Sequence, residues 1–312
     1  MDSTAQPRRA SWLDATPAVA LVCEIAADYV CAVRHRRGRV EAWATRALPE
    51  GAVRPAPLAD NVADRAAVQQ ALEHVLGAVG NGERRCALLV PDLVARVTVL
   101  EFDNLPAHPE DAEALLRWRL GKDLPFDVTQ AALSFQVQPA RAAGQEALVA
   151  AALRNLVRQY EECLEALGLQ PGWVTLSTLA ALGGLDSAAP PRLVVKSDHT
   201  SLAIAAVHGR SVRLFRSLPL AAGATDAEGL FDNIYPAAVY FQDHWGEPVS
   251  EAVLVGVDAA RSGLGDRLES ELNCRVRELD LTAFALPPSP VTAAAPDHRL
   301  AACIGWARGE TE

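Results

Sequence analysis

A chain of 312 residues, half of them hydrophobic and 22% charged, is long enough for more than one sizeable core and has the composition of a folded protein. Its formal net charge of −10 argues against general nucleic-acid binding, since phosphate backbones are repelled everywhere but at a local basic face. No run approaches the ~18 apolar residues of a membrane span, and the opening MDSTAQPRRASWLDATP lacks the apolar centre of a signal peptide, so a cytoplasmic location is expected. Six cysteines (Cys23, Cys31, Cys86, Cys163, Cys274, Cys303) show no CxxC pairing and no metal-ligand spacing; they are expected as reduced core residues, and no metal site is expected.

Residues 1 to 16 read as a flexible tail. Three strand-like runs follow, AVALVCEIA, YVCAVRH and RVEAWATRALP, with turns at Ala27-Asp28 and Arg37-Gly38. The arginines around the second turn (Arg34, Arg36, Arg37, Arg39) read as a solvated hairpin tip, with a phosphate or headgroup contact as the sharper alternative. A helix is predicted over 65–79, stopped by Gly80-Asn81-Gly82, and then come the apolar strands CALLVP and VARVTVLEF.

Residues 105 to 126, LPAHPEDAEALLRWRLGKDLPF, are the most distinctive stretch. Pro109-Glu110-Asp111 is a helix start with proline early and acids in the first turn. The helix places Ala112, Leu115, Leu116 and Leu120 on one face with Trp118 beside them, Gly121-Lys122 closes it, and Leu124-Pro125-Phe126 is expected to be extended. ALSFQVQPA and QEALVAAAL then flank a turn at Ala143-Gly144. A helix over about 155–168 turns Leu156, Tyr160, Cys163, Leu164 and Leu167 inward.

Beyond the linker 186–191 the pattern restarts. LVVKS, LAIAAVHG and SVRLFRSLPL are three more strands, followed by a helix over about 226–245 in which Pro236 should weaken or kink an interior turn. The strand EAVLVGV, the helix RSGLGDRLESEL, the short strand CRVREL, a proline-rich connection and a small-residue helix HRLAACIGWARG complete the chain. Three strands, a helix and a strand thus occur twice.

This duplication resembles the actin/hexokinase/Hsp70 superfamily. The order of elements, the segment at 105–126 and the closing LAACIGWA resemble the PilM family of type IV pilus assembly proteins. The resemblance implies an α/β, actin-like (ribonuclease H-like) duplicated bilobal fold with an inserted α+β subdomain in the first lobe. Its expected boundaries are 17–190 for the first lobe with the insert at about 90–153, 191–296 for the second, and 297–312 for a C-terminal helix packing back on the first.

In that superfamily two Asp-x-Gly hairpins hold metal and phosphate. Here Glu24 stands for the first acid, one methylene longer, and Ala26 replaces the glycine. At the second hairpin Lys196 stands where the metal-associated acid belongs, and an ammonium there repels Mg²⁺. Asp198, two residues on, shares a face with Lys196 and is expected to pair with it. The adenine-side Gly-Gly is reduced to Gly256 before Val257. Glu24, Lys196, Asp198 and Gly256 are therefore read as remnants of a nucleotide pocket, with no catalytic residue, no cofactor, and neither ATP nor Mg²⁺ expected.

What the resemblance implies instead is an adaptor. It would bind the cytoplasmic N-terminal peptide of a PilN-like bitopic inner-membrane protein, in a groove between the first lobe and the insert, and link it to the assembly motor from the membrane's cytoplasmic side. Leu115, Trp118, Arg119, Leu124 and Phe126 are the expected peptide contacts, Trp and Arg being enriched at binding hot spots. No nucleic acid is expected, and self-association stays open. The alternatives are a nucleotide-binding or weakly hydrolysing ATPase of the same machine, a sugar kinase or phosphatase with intact Asp-x-Gly hairpins, and a GspL-like cytoplasmic domain of type II secretion. That last family continues into a transmembrane helix, whereas this sequence stops at Glu312.

Overall fold

The computed structural model describes residues 19–80, 82–139, 144–186, 190–198, 200–220, 226–257, 263–291 and 295–309. The expected tail at 1–16, half of the linker, residues 187–189, and Ala143 of the predicted turn lie outside these residues.

Two five-stranded sheets share one plan. In the first, β1 (Leu21–Ile25), β2 (Tyr29–Arg36) and β3 (Arg39–Ala47) form an antiparallel meander; β4 (Arg85–Val90) lies parallel to β1 and β8 (Gln170–Leu176) parallel to β4, giving the order β3-β2-β1-β4-β8. In the second, β9 (Arg192–Ser197), β10 (Ser201–His208), β11 (Ser211–Pro219), β12 (Glu251–Val255) and β13 (Arg275–Glu278) give the order β11-β10-β9-β12-β13 with the same directions. The sequence reading missed β8, because Pro171 and Gly172 interrupt the β-branched run that otherwise marks an edge strand.

Between β4 and β8 runs an antiparallel three-stranded sheet of β5 (Ala95–Phe102), β6 (Ala131–Pro139) and β7 (Gln145–Leu153), in the order β5-β7-β6. The helix α1 (Arg65–Val79) begins at Asp64, whose carboxylate accepts the Ala67 N–H, and packs along β2 and β3. The helices α2 (Pro109–Leu120), α3 (Arg154–Glu165) and α4 (Ser177–Ala181) complete the first half.

In the second half α5 (Ala227–Trp245) and α6 (Leu264–Leu272) cover one face of the sheet. Proline at 236 lies inside an unbroken α5. An interior proline costs about 3 kcal/mol, and the burial of Leu230, Phe231, Ile234, Phe241 and Trp245 offsets it. Alternation along the strands divides the second sheet cleanly: Leu193, Val195, Leu202 and Ile204 face α5 and α6, while Val194, Ala203, Ala205 and Val207 join the core of the first half. The two halves therefore share apolar packing.

The last helix, α7 (Ala301–Gly309), packs against α4, the turn after it, and β1 and β2. Its small residues allow backbone-to-backbone approach. A Cβ on Gly305 would lie 2.3 Å from the Ala180 carbonyl oxygen, and one on Gly183 would lie 2.4 Å from that of Gly305. Gly305→Ala is expected to destabilise the protein by about 3 kcal/mol, since the whole helix must move to admit one methyl. Urea unfolding monitored by tryptophan fluorescence checks this.

All six cysteines are free and buried. Among the described residues no helix is long and apolar enough to cross a membrane, and no group of three potential metal ligands occurs.

Candidate functional site: an interlobe cleft and an apolar groove

Two concave sites lie at the carboxyl ends of the parallel strands, where open α/β sheets hold ligands. The first is the cleft between the halves. Near the end of β1, Glu24 is 1% exposed; one carboxylate oxygen accepts the Ser177 hydroxyl, and Oε2 has no hydrogen-bond partner among the described residues. Just past β4, Asp92 is equally enclosed and accepts the Thr178 N–H at 3.0 Å and its hydroxyl at 2.6 Å. Burial pushes both carboxyls above their ordinary range, and the charge of Lys196 pulls both back.

On β9, in the other half, Lys196 is 8% exposed. Burial alone would lower its affinity for a proton, yet acids surround it: Glu24 acts most strongly, then Asp92, Asp198 and Asp28, and the ammonium is held more firmly than usual. Asp198 favours the ammonium as expected, but it makes no direct ion pair with it. Both Asp198 oxygens are committed to the β9–β10 turn, accepting the N–H groups of Thr200 and Ser201 at 2.8 and 2.6 Å and both hydroxyls at 2.9 Å. Glu24 and Asp92 of the other half act on Lys196 through space, without a direct ion pair among the described residues.

The phosphate-binding geometry is also altered. In the β1–β2 hairpin the Ala26 N–H donates to the Tyr29 carbonyl at 2.9 Å, and no residue from 24 to 28 has positive φ. Gly256 has φ of +74°, and a Cβ there would sit 2.3 Å from the Ser197 carbonyl and 3.2 Å from the His298 ring. Glycine is thus required for close packing of β12 on β9 and on the C-terminal segment. Beside it opens a cavity of about 550 Å³ bordered by Gly256, Glu278, Asp280, Thr282, Asp297 and His298, with no lysine or arginine among its described lining residues.

The second site is a narrower apolar cavity of about 180 Å³ between the first sheet and the insert. Two strands that lack an outer neighbour among the described residues, β6 and β8, border it through Ala132, Leu133 and Ser134 on one side and Val174, Thr175 and Leu176 on the other; Val90, Val94 and Ala95 lie between, with Ala150, Ala152, Val157 and Leu179. Sequence reasoning placed a groove here in general terms but named none of these residues. Short alternating strands rich in alanine carry no signal that distinguishes a groove wall from core.

The predicted contact segment lies elsewhere. On α2, Ala112, Leu116 and Leu120 are buried against Ala147, Val149 and Ala151 of β7, whereas the groove is lined by Ala150 and Ala152 on the opposite face of that strand. Leu115 is partly buried and Leu124 belongs to the insert core. Trp118 is 71% exposed and Arg119 is also exposed, both on the far side of the insert from the groove. Trp118 does not join the apolar face it was expected to flank, because it follows Leu116 by two residues and so turns away from it. The Leu124-Pro125-Phe126 exit is a series of turns, not extended chain, and ends where Asp127 caps a short 3-10 turn. Of the five residues only Phe126 packs against both the insert core and the main core.

The insert is also tied to the second half. Gln138 and Val212 exchange two hydrogen bonds of 2.6 and 3.2 Å, and the enclosed Glu146 pairs with Arg213 at 2.5 Å. The guanidinium of Arg213 in turn lies 4.8 Å from the Trp245 ring.

Two ribonuclease H-like halves facing a cleft, with a small sheet inserted in the first, define an actin-like protein. This chain is similar over its length to solved structures of that class. The PilM-PilN type IV pilus biogenesis complex aligns with a TM-score of 0.72 at 20% identity, covering 94% of this chain and 98% of the other. The cytoplasmic domain of EpsL, an inner-membrane component of the type II secretion system of Vibrio cholerae, aligns with a TM-score of 0.53 at 13% identity, covering 88% and 98%. No family model matches the sequence, and no curated protein matches it. The chain thus has the PilM-like, actin-like fold expected from its sequence.

Proposed function

We propose that this protein is a non-catalytic scaffold of a type IV pilus or related secretion machine, on the cytoplasmic side of the inner membrane. Its partner would be the N-terminal cytoplasmic segment of a PilN-like inner-membrane protein. The observation that carries the reading is the apolar cavity bordered by the unpaired edges of β6 and β8. An extended peptide entering there can add main-chain hydrogen bonds to a strand edge while small apolar side chains fill the cavity. Phe126, which packs on both cores, props the insert over this groove, and Leu115 and Leu124 hold α2 to the insert sheet. The exposed pair Trp118 and Arg119 then serves a second contact, with a motor component of the same machine.

The cleft supports the non-catalytic part of this reading. A metal–nucleotide complex needs carboxylates around a divalent cation, and the positive charge of Lys196 beside Glu24 and Asp92 disfavours a second cation there. The altered hairpin at Ala26 and the acid-bordered cavity beside Gly256 both disfavour phosphates.

The test is titration calorimetry with a synthetic peptide of the partner's cytoplasmic segment, joined to hydrogen exchange. Protection should appear at 131–135 and 174–176, and Mg-ATP should give neither heat nor turnover. Protection confined to 112–120, or ATP turnover by the purified chain, overturns the proposal.

A further inference from the structure

One end of the first sheet is strongly basic in an otherwise acidic molecule. The β2–β3 hairpin pairs Arg36 with Arg39 and turns through Arg37 and Gly38, whose φ values are 49° and 74°. Two consecutive residues of positive φ are normally supplied by Asn, Asp or Gly in such a turn. Here an arginine is kept in the left-handed position despite its Cβ. The register carries β4 to the same end: Val22 of β1 faces Val33 of β2 and Ala87 of β4, so Arg84 and Arg85 begin β4 level with the base of the hairpin. Arg36, Arg37, Arg39, Arg84 and Arg85 are all exposed, and none makes an ion pair with a described residue. Arg34 is different, being tied to Glu41 and to the Val79 carbonyl at 2.5 Å. Segments 34–41 and 82–86 together hold six arginines against Glu41 and Glu83, in a chain whose net charge is −10.

We propose that this end is a docking surface for an anionic lipid bilayer. Planar guanidinium groups match lipid phosphates, and a flat bilayer can meet one end of the molecule without approaching its acidic remainder. A long nucleic acid would have to track past that acidic surface, and neither segment offers an exposed aromatic ring for base stacking. The geometry also orients the protein. The six residues of β4 span about 20 Å, and the groove lined by Val90 lies at the strand's far end, so a bilayer at the hairpin leaves the groove open. Lipid docking is independent of what the groove holds.

The experiment is co-sedimentation of the full chain with vesicles of phosphatidylglycerol in phosphatidylcholine, and of phosphatidylcholine alone, without any partner protein. Binding is expected to the anionic vesicles only, and to weaken as salt is raised. Arg36→Gln/Arg37→Gln/Arg39→Gln should reduce partitioning roughly a hundredfold, at about fivefold per arginine near the surface. The equally neutralising Arg46→Gln/Arg96→Gln/Arg216→Gln, at exposed arginines elsewhere, should change it little. Circular dichroism shows whether each variant is folded; should the first triple fail to fold, Arg84→Gln/Arg85→Gln takes its place. No binding to anionic vesicles overturns the proposal, as does an equal loss in both triples. A short DNA duplex binding with the same arginine dependence would also overturn it, in favour of a general polyanion site.

Discussion

Lys196→Met is expected to lose about 2 kcal/mol of stability, because two enclosed carboxyls lose the cation that acts on them through space, although no direct ion pair is broken. Lys196 is 8% exposed, and Glu24 and Asp92 across the cleft are more enclosed still, so two carboxyls lose their counter-charge without gaining water. The sign of the pH effect follows. Both carboxyls already sit above their ordinary range because burial favours the neutral form, and without the ammonium they move further up. A carboxyl raised in the folded state gives stability that is present at low pH and lost as pH rises through its folded value. The deficit of Lys196→Met should therefore be largest near neutrality and shrink as pH falls into the carboxylate range. Adding Glu24→Gln and Asp92→Asn to Lys196→Met should restore much of the stability at neutral pH, since no uncompensated charge remains. Lys196→Asp makes the sharper test: thermal unfolding of that variant should shift upward with Mg²⁺ or Ca²⁺, whereas the parent protein should not respond. A parent that gains stability from Mg²⁺ would show that Lys196 does not occupy the cation's role.

Ser134→Trp is expected to weaken the proposed peptide at least a hundredfold while leaving the unfolding temperature within about 2 °C of the parent. Exposed Ser134 lies in the groove wall on β6, so an indole there fills the cavity of about 180 Å³ without entering a core. Trp118→Ala should spare peptide affinity, because that side chain projects to solvent behind the insert sheet. Measured by calorimetry, the opposite pattern would move the binding site from the groove to α2.

Much of the fold was legible because each half repeats one local grammar. Apolar runs of strand length, a turn at Arg37-Gly38, and an amphipathic helix such as 65–79 all act through neighbours in the chain. The strand β8 escaped because its proline and glycine imitate a loop, and only pairing with β4 makes it a strand. The docking segment was legible as a helix but not as a surface. Period 3.6 separates Leu116 and Leu120 from Trp118, yet it cannot tell which face of which sheet the helix covers.

The sequence alone determined the duplicated α/β plan, the substitution of lysine for an acid at 196, the free cysteines and the concentration of arginine at the first hairpin. Those are properties of residue type and spacing. Only the tertiary structure decided what Lys196 and Asp198 do. The turn after β9 claims both oxygens of Asp198, while the packing of the two halves sets Glu24 and Asp92 near enough for their charge to favour the ammonium. It likewise put the groove and α2 on opposite faces of β7, since neighbouring residues such as Val149 and Ala150 point opposite ways and the sheet between them is closed by pairing with β5 and β6. Interactions between residues separated by about a hundred positions depend on chain closure, and no local pattern encodes them.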